Sequence, residues 1–118
     1  MCFSLRYIEM PYYAGGSLGD FKQNTGAHPT EEQLKVLFRQ ILMGLAYLHD
    51  QHVVHCDIKP ENIFLVEAHD RGPFPLQAKI GDFDVSKDKS ERTAWLRTMS
   101  TSSTSVGFTQ MYMAPELL

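Results

Sequence analysis

One short stretch, Asp57-Ile58-Lys59-Pro60-Glu61-Asn62, puts an acid, a cation and an amide within six residues of one another. A carboxylate can take a proton, an ammonium can offset developing negative charge, and carboxylate and amide oxygens are hard donors. An apolar run, Ile63-Phe64-Leu65-Val66, follows at once. A second acidic group stands in Asp82-Phe83-Asp84, and Ala114-Pro115-Glu116 lies near the end. These residues are far apart in sequence, so any joint chemistry depends on the elements that bring them together.

Those elements are partly legible. Leu5 to Tyr12 is apolar and aromatic and reads as a strand, ended by Ala14-Gly15-Gly16-Ser17. Ser17 reads as the N-cap of a short helix through Leu18 and Phe21. After the loop Gly26-Ala27-His28-Pro29, Thr30 caps a long helix, and Gln33 completes a capping box. In that helix Leu34, Leu37, Phe38, Ile41, Leu42, Leu45 and Leu48 recur at steps of three and four, which predicts a buried face to about Gln51. Val53-Val54 leads into the loop of Asp57. Ile63 to Val66 and Ala78-Lys79-Ile80 read as two strands of a small hairpin, with Glu67 to Gln77 as the turn or an insertion between them. From Lys87 to Thr104 the chain is polar, with a Ser/Thr run from Thr98 to Ser105, and reads as a mobile loop.

Composition narrows the class. The chain has 118 residues, enough for one small domain, and ordinary apolar and charged fractions. A net charge of −3 without a basic block argues against nucleic-acid or anionic-membrane partners. No apolar run has the length of a membrane span. Cys2 and Cys56 have no CxxC spacing, so a reducing intracellular setting, taken as cytoplasmic, fits better than a disulfide framework.

Taken in order, His55-Cys56-Asp57-Ile58-Lys59-Pro60-Glu61-Asn62, Asp82-Phe83-Asp84 and Ala114-Pro115-Glu116 resemble the catalytic loop, the metal-binding motif and the close of the activation segment of eukaryotic protein kinases. The resemblance covers nearly the whole chain. It implies an α+β fold: a hinge region at 1–16 and the first part of a C-terminal lobe at 17–118, mostly helical with a small β-hairpin. It implies ATP and Mg²⁺ as cofactors and protein Ser or Thr hydroxyls as substrate, since Lys59 in Asp-x-Lys-x-x-Asn is of the serine/threonine type. In that reading Asp57 is the catalytic base, Lys59 stabilises the phosphate charge, and Asn62 and Asp82 are the metal ligands. Thr109 ties the substrate-binding loop to Asp57 and Lys59. Aligning on Gly15-Gly16 puts Met10 at the gatekeeper position. The carbonyl of Pro11 and the backbone of Tyr13 then meet the adenine edge, and Phe64 forms an apolar floor under the base.

Two departures stand out. Cys56 replaces the Arg that usually precedes the catalytic Asp and grips an activation-loop phosphate, so that clamp is not expected here. Asp84 replaces the Gly of Asp-Phe-Gly and adds a negative charge near the metal site. Phe108 stands between Gly107 and Thr109, where most relatives have Gly next to Thr.

Blander readings apply elsewhere. His49, His52 and His55 recur every third residue, but a helix end leading into a loop is poor zinc geometry, and Cys56 does not complete a zinc pattern. His55 is expected to be buried near Phe83. The Ser/Thr run is either a solvated loop or a set of phosphorylation sites that Arg92 and Arg97 could answer. The few residues before Tyr7 leave no room for the glycine-rich loop and strand lysine of the family, and the segment as given is expected to lack these elements and the helices that pack on its end. The chain is therefore expected to leave apolar surface exposed and to be marginally stable alone. The function of another class that remains open is a catalytically inactive, kinase-derived binding or regulatory module.

Overall fold

The computed structural model describes residues 7–68, 75–88, 110–112 and 115. Its elements are α1 (Phe21–Thr25), α2 (Glu31–Asp50), β1 (Val53–Val54), β2 (Ile63–Glu67), β3 (Leu76–Ile80) and β4 (Lys87–Asp88), with short 3-10 turns at Pro60–Asn62 and Gln110–Tyr112.

The capping box starts α2 as its sequence predicts. Thr30 Oγ1 accepts the Gln33 N–H at 3.3 Å, and Gln33 Oε1 accepts the Thr30 N–H at 2.9 Å. Two of the otherwise orphaned N–H groups at the helix start are thereby satisfied. Twenty residues follow without Pro and with one Gly, Gly44, and the helix runs to Asp50.

The expected hairpin forms: β2 and β3 pair antiparallel, with Ile63 opposite Ile80, Leu65 opposite Ala78 and Glu67 opposite Leu76. Ile63 and Leu65 are buried, while Phe64 and Val66 between them are only partly covered, the alternation a two-faced strand requires. The core gathers Phe21 of α1, Leu37 of α2 and Leu65 of β2, with Leu18, Val36, Leu76 and Ala78 packed against them. Burying Leu37 and Leu65 contributes about 2 kcal/mol each.

Four sequence expectations need correction. Residues 7–12 form no strand, and Tyr7, Ile8, Met10 and Tyr12 are exposed. A strand needs its N–H and C=O groups paired, and none of the described strands lies beside this stretch. Ser17 does not cap a helix. It is buried and bridges to Phe64, and its hydroxyl donates to Asp20 Oδ2 at 2.7 Å. Ser17 and Asp20 close a turn on each other, Ser17 Oγ accepting the Asp20 N–H at 3.2 Å and Asp20 Oδ2 the Ser17 N–H at 3.3 Å, while the Leu18 and Gly19 N–H groups donate to Ile63 O at 2.7 Å and Pro60 O at 3.1 Å. Helix α1 starts three residues after Leu18, at Phe21, with Asp20 as its N-cap.

The apolar face of α2 is also only half covered. Leu37 and Ile41 are buried, whereas Phe38 is 63% exposed and Leu42 54% exposed. Seven apolar positions span more of the helix circumference than the hairpin can cover. Finally, Lys87 is not simply the start of a polar loop. Lys87–Asp88 pairs antiparallel with Val53–Val54, so the chain after Asp84 returns to the strand that leads into the Asp57 loop.

Candidate active site

The loop between β1 and the Pro60–Asn62 turn is shaped by Cys56, which has φ of 69°. A left-handed conformation costs a non-glycine residue about 1–2 kcal/mol. It separates two neighbours that need different surroundings. His55 is buried, at 1% exposure, while the Asp57 side chain keeps 11% of its surface open and meets Lys59 and Asn62.

Both ring nitrogens of His55 are used. The Asp57 N–H donates to Nδ1 at 3.2 Å, which makes Nδ1 the acceptor and leaves Nε2 to donate to the Gly81 carbonyl at 2.9 Å. The ring packs on Phe83 with centroids 4.9 Å apart, as the sequence reading expected. The carbonyl of His55 accepts the Ser86 hydroxyl at 3.3 Å. Sequence reasoning missed the bond from His55 to Gly81, because nothing in residue type or spacing marks a backbone acceptor 26 positions away.

Asp57, Lys59 and Asn62 converge. Lys59 Nζ lies 2.8 Å from Asp57 Oδ2, and Asn62 Nδ2 donates to that oxygen at 3.0 Å and to the Asp57 carbonyl at 2.8 Å. Asn62 is buried, and its two amide hydrogens are thus committed to Asp57. Its side-chain oxygen is the atom left to act as a neutral donor. The hydrogen bond to the Asp57 carboxylate holds the Lys59 ammonium above the usual lysine range against desolvation, and the charges of Asp57, Glu61 and Asp82 add smaller pushes in the same direction. The cation is therefore firmly protonated at neutral pH.

The base of the hairpin brings the second acid to this group. The Gly81 N–H donates to the Asn62 carbonyl at 2.9 Å, one step beyond the Ile63–Ile80 pair. Asp82 follows at once, exposed and left-handed with φ of 60°, a conformation that Asp tolerates better than most residues. Among the described residues no cluster of three or more His, Cys, Asp or Glu side chains is placed to hold a metal ion. The groups here are instead mixed: the Asn62 amide and the Asp57 carboxylate meet one ammonium, and Asp82 stands near enough for its charge to act on Lys59.

The nucleotide-side residues are placed less completely. Phe64 is half-buried, with the Tyr13 ring 5.5 Å away and tilted by 35°. Gly81 lies against the same ring: a Cβ there would come within 2.6 Å of Phe64 Cε2, so any larger residue would displace the ring. The Tyr13 carbonyl accepts the Gly16 N–H at 3.1 Å. Met10 and Pro11 are exposed. Thr109, Arg92, Arg97 and the Ser/Thr run lie outside the described residues, as do Ala114 and Glu116.

Cys56 is a free thiol whose Sγ donates to the Val54 carbonyl at 3.5 Å. Burial pushes it up from the usual cysteine range, partly countered by the positive charge of Lys87.

Comparison with known proteins shows the family. The family model described as the protein kinase domain matches residues 4–118, and the chain belongs to that family, of the eukaryotic serine/threonine type. It is 41% identical over 108 residues to mitogen-activated protein kinase kinase 2 of Arabidopsis thaliana, covering 91% of this chain and 26% of that protein. It is 38% identical over 112 residues to serine/threonine-protein kinase 1 of the same plant, covering 95% of this chain and 12% of that protein. The chain thus spans about a quarter or less of the length of these relatives. In fold it resembles the crystal structure of the yeast RNA Pol II CTD kinase CTDK-1 complex, with a TM-score of 0.51, 32% identity, and coverage of 64% of this chain and 23% of that one. Among the described residues no helix is long and apolar enough to cross a membrane.

Proposed function

We propose that the protein carrying this chain transfers the γ-phosphoryl group of ATP to Ser or Thr hydroxyls of proteins. Residues 1–16 would form the hinge and 17–118 the first part of the C-terminal lobe. The observation that carries this reading is the convergence of Lys59 Nζ and Asn62 Nδ2 on Asp57 Oδ2, at 2.8 and 3.0 Å. Phosphoryl transfer requires alignment and charge neutralisation more than covalent chemistry from the protein. Asp57 accepts the proton of the substrate hydroxyl and orients it. Lys59, kept protonated by Asp57, offsets charge on the transferred group. Asn62, with its amide hydrogens taken by Asp57, offers its oxygen to Mg²⁺, and Asp82 offers a carboxylate. When bound, MgATP supplies the phosphoryl group and neutralises part of its charge.

Phe64, fixed between Tyr13 and Gly81, forms the apolar floor for the base. Met10, Pro11 and Tyr13 supply the hinge edge, and Thr109 the substrate loop. A protein substrate and an intracellular setting complete the proposal. The setting is supported by the two cysteines, Cys2 and Cys56, which lack the number and spacing of a disulfide framework.

The test is incubation of the full-length gene product with labelled ATP and a protein mixture. Label on phosphoserine or phosphothreonine that disappears with EDTA, and with Asp82→Asn, is expected. Label on neither residue, with the protein shown to be folded, would overturn the proposal.

A further inference from the structure

Gln40 and Gly44 stand four positions apart on α2 and so share a face. That face seats β3. Gln40 Oε1 accepts the Ala78 N–H at 2.7 Å, a bond across 38 positions of sequence. Only the oxygen of the side-chain amide can accept, so its orientation is fixed. One turn further on, Gly44 lies against Ile80: a Cβ there would stand 3.0 Å from Ile80 Cδ1. In a two-stranded sheet, each strand has one open edge whose N–H groups need partners. Gln40 supplies one at the middle of β3, opposite Leu65. The strand then continues through Ile80 and Gly81 to Asp82, with Gly81 held by Asn62 and His55.

We infer that Gln40 is a positioning residue for Asp82. Its side-chain oxygen fixes where β3 sits along α2, and through that strand where the Asp82 carboxylate stands relative to Asn62. The inference rests on the reading of Asp82 as a metal ligand. Gln40 itself acts only through the strand, with Ala78 as its hydrogen-bond partner.

The experiment is Mn²⁺ binding in the presence of ADP, followed by electron paramagnetic resonance on the full-length gene product, together with amide hydrogen exchange at Ala78. Gln40→Met, which removes the acceptor at similar size, is expected to weaken Mn²⁺ binding about 10-fold, as loss of groups that orient metal ligands does, and to speed exchange at Ala78. Gln40→Ala, run in parallel, is expected to behave alike. Gln40→Glu keeps an acceptor and restores most of the affinity. Thr30→Ala removes the cap of the same helix and is expected to lower the melting temperature without moving Mn²⁺ affinity. If Gln40→Met and Gln40→Ala bind Mn²⁺ as the parent does while Asp82→Asn does not, Gln40 has no positioning role. Equal weakening by Thr30→Ala and Gln40→Met also overturns it, because the loss would then follow stability. If Asp82→Asn binds Mn²⁺ normally, the metal-ligand reading falls, and this inference with it.

Discussion

The imidazole of His55 and the carbonyl of Gly81 are joined at 2.9 Å across 26 residues of chain, while the other ring nitrogen takes the Asp57 N–H. One buried side chain therefore ties the loop that carries the acid to the residue just before the second acid. The hydrogen bond from Gly81 N–H to Asn62 O closes the same joint from the other side. The Asn62 amide sets Asp57 against Asn62 directly, and this joint sets the backbone of Asp82 relative to both.

Removing the His55 ring leaves a cavity and two buried polar groups without partners. His55→Ala is expected to destabilise the fold by about 3 kcal/mol, measured by urea unfolding. A loss within experimental error would show that the joint does not hold the two segments together.

Lys59 titrates above its ordinary value of 10.5 because Asp57 stabilises the charged form. Folding therefore raises its affinity for a proton. The contribution of the pair to stability is full below the ordinary lysine range and fades as pH climbs through the raised value. In ¹³C-detected titration of the lysine side chains, the native midpoint should lie above 10.5 and fall back toward it in Asp57→Asn. An unchanged midpoint would mean that the carboxylate does not hold the ammonium.

Cys56 carries its proton more tightly than an ordinary thiol, since burial disfavours the thiolate. Alkylation by iodoacetamide at neutral pH should be slower in the native protein than in urea. Its pH profile should be displaced to the alkaline side. Lys87→Ala, which removes the charge opposing the shift, should displace it further. Native reactivity equal to the unfolded rate would contradict the burial of this thiol.

Leu37 and Phe38 are adjacent on α2 but differ sharply in surroundings. Leu37→Ala empties a filled site next to Phe21 and Leu65 and is expected to cost about 3 kcal/mol. Phe38→Ala, at 63% exposure, should cost under about 1 kcal/mol. Thermal unfolding of the two variants separates them, and equal losses would mean that the outer side of the helix is covered too.

These contrasts show what the sequence reveals and where it stops. The capping box of Thr30 and Gln33, the span of α2 and the β2–β3 hairpin are local patterns, and all three form. So does the burial of His55 against Phe83. What the sequence does not disclose is competition between partners. Ser17 has the composition of a helix cap, but it closes a turn with Asp20 and pairs with Phe64 far along the chain, which sequence proximity cannot show. The aromatic run at 7–12 has strand composition without a strand beside it among the described residues. The apolar positions of α2 mark a face but not how much of it is covered. The convergence on Asp57 was readable as residue types at a given spacing, whereas the tie through Gly81 and the seat formed by Gln40 are backbone contacts with no sequence signature.

The central claim is tested most directly by measuring transfer of labelled phosphate from ATP to protein Ser and Thr by the full-length gene product and its Asp57→Asn variant, alongside nucleotide binding. Loss of the proton acceptor should lower the rate at least about 100-fold while ATP still binds in the presence of Mg²⁺. A variant that transfers phosphate as fast as the parent would contradict the role of Asp57 and the account built on it.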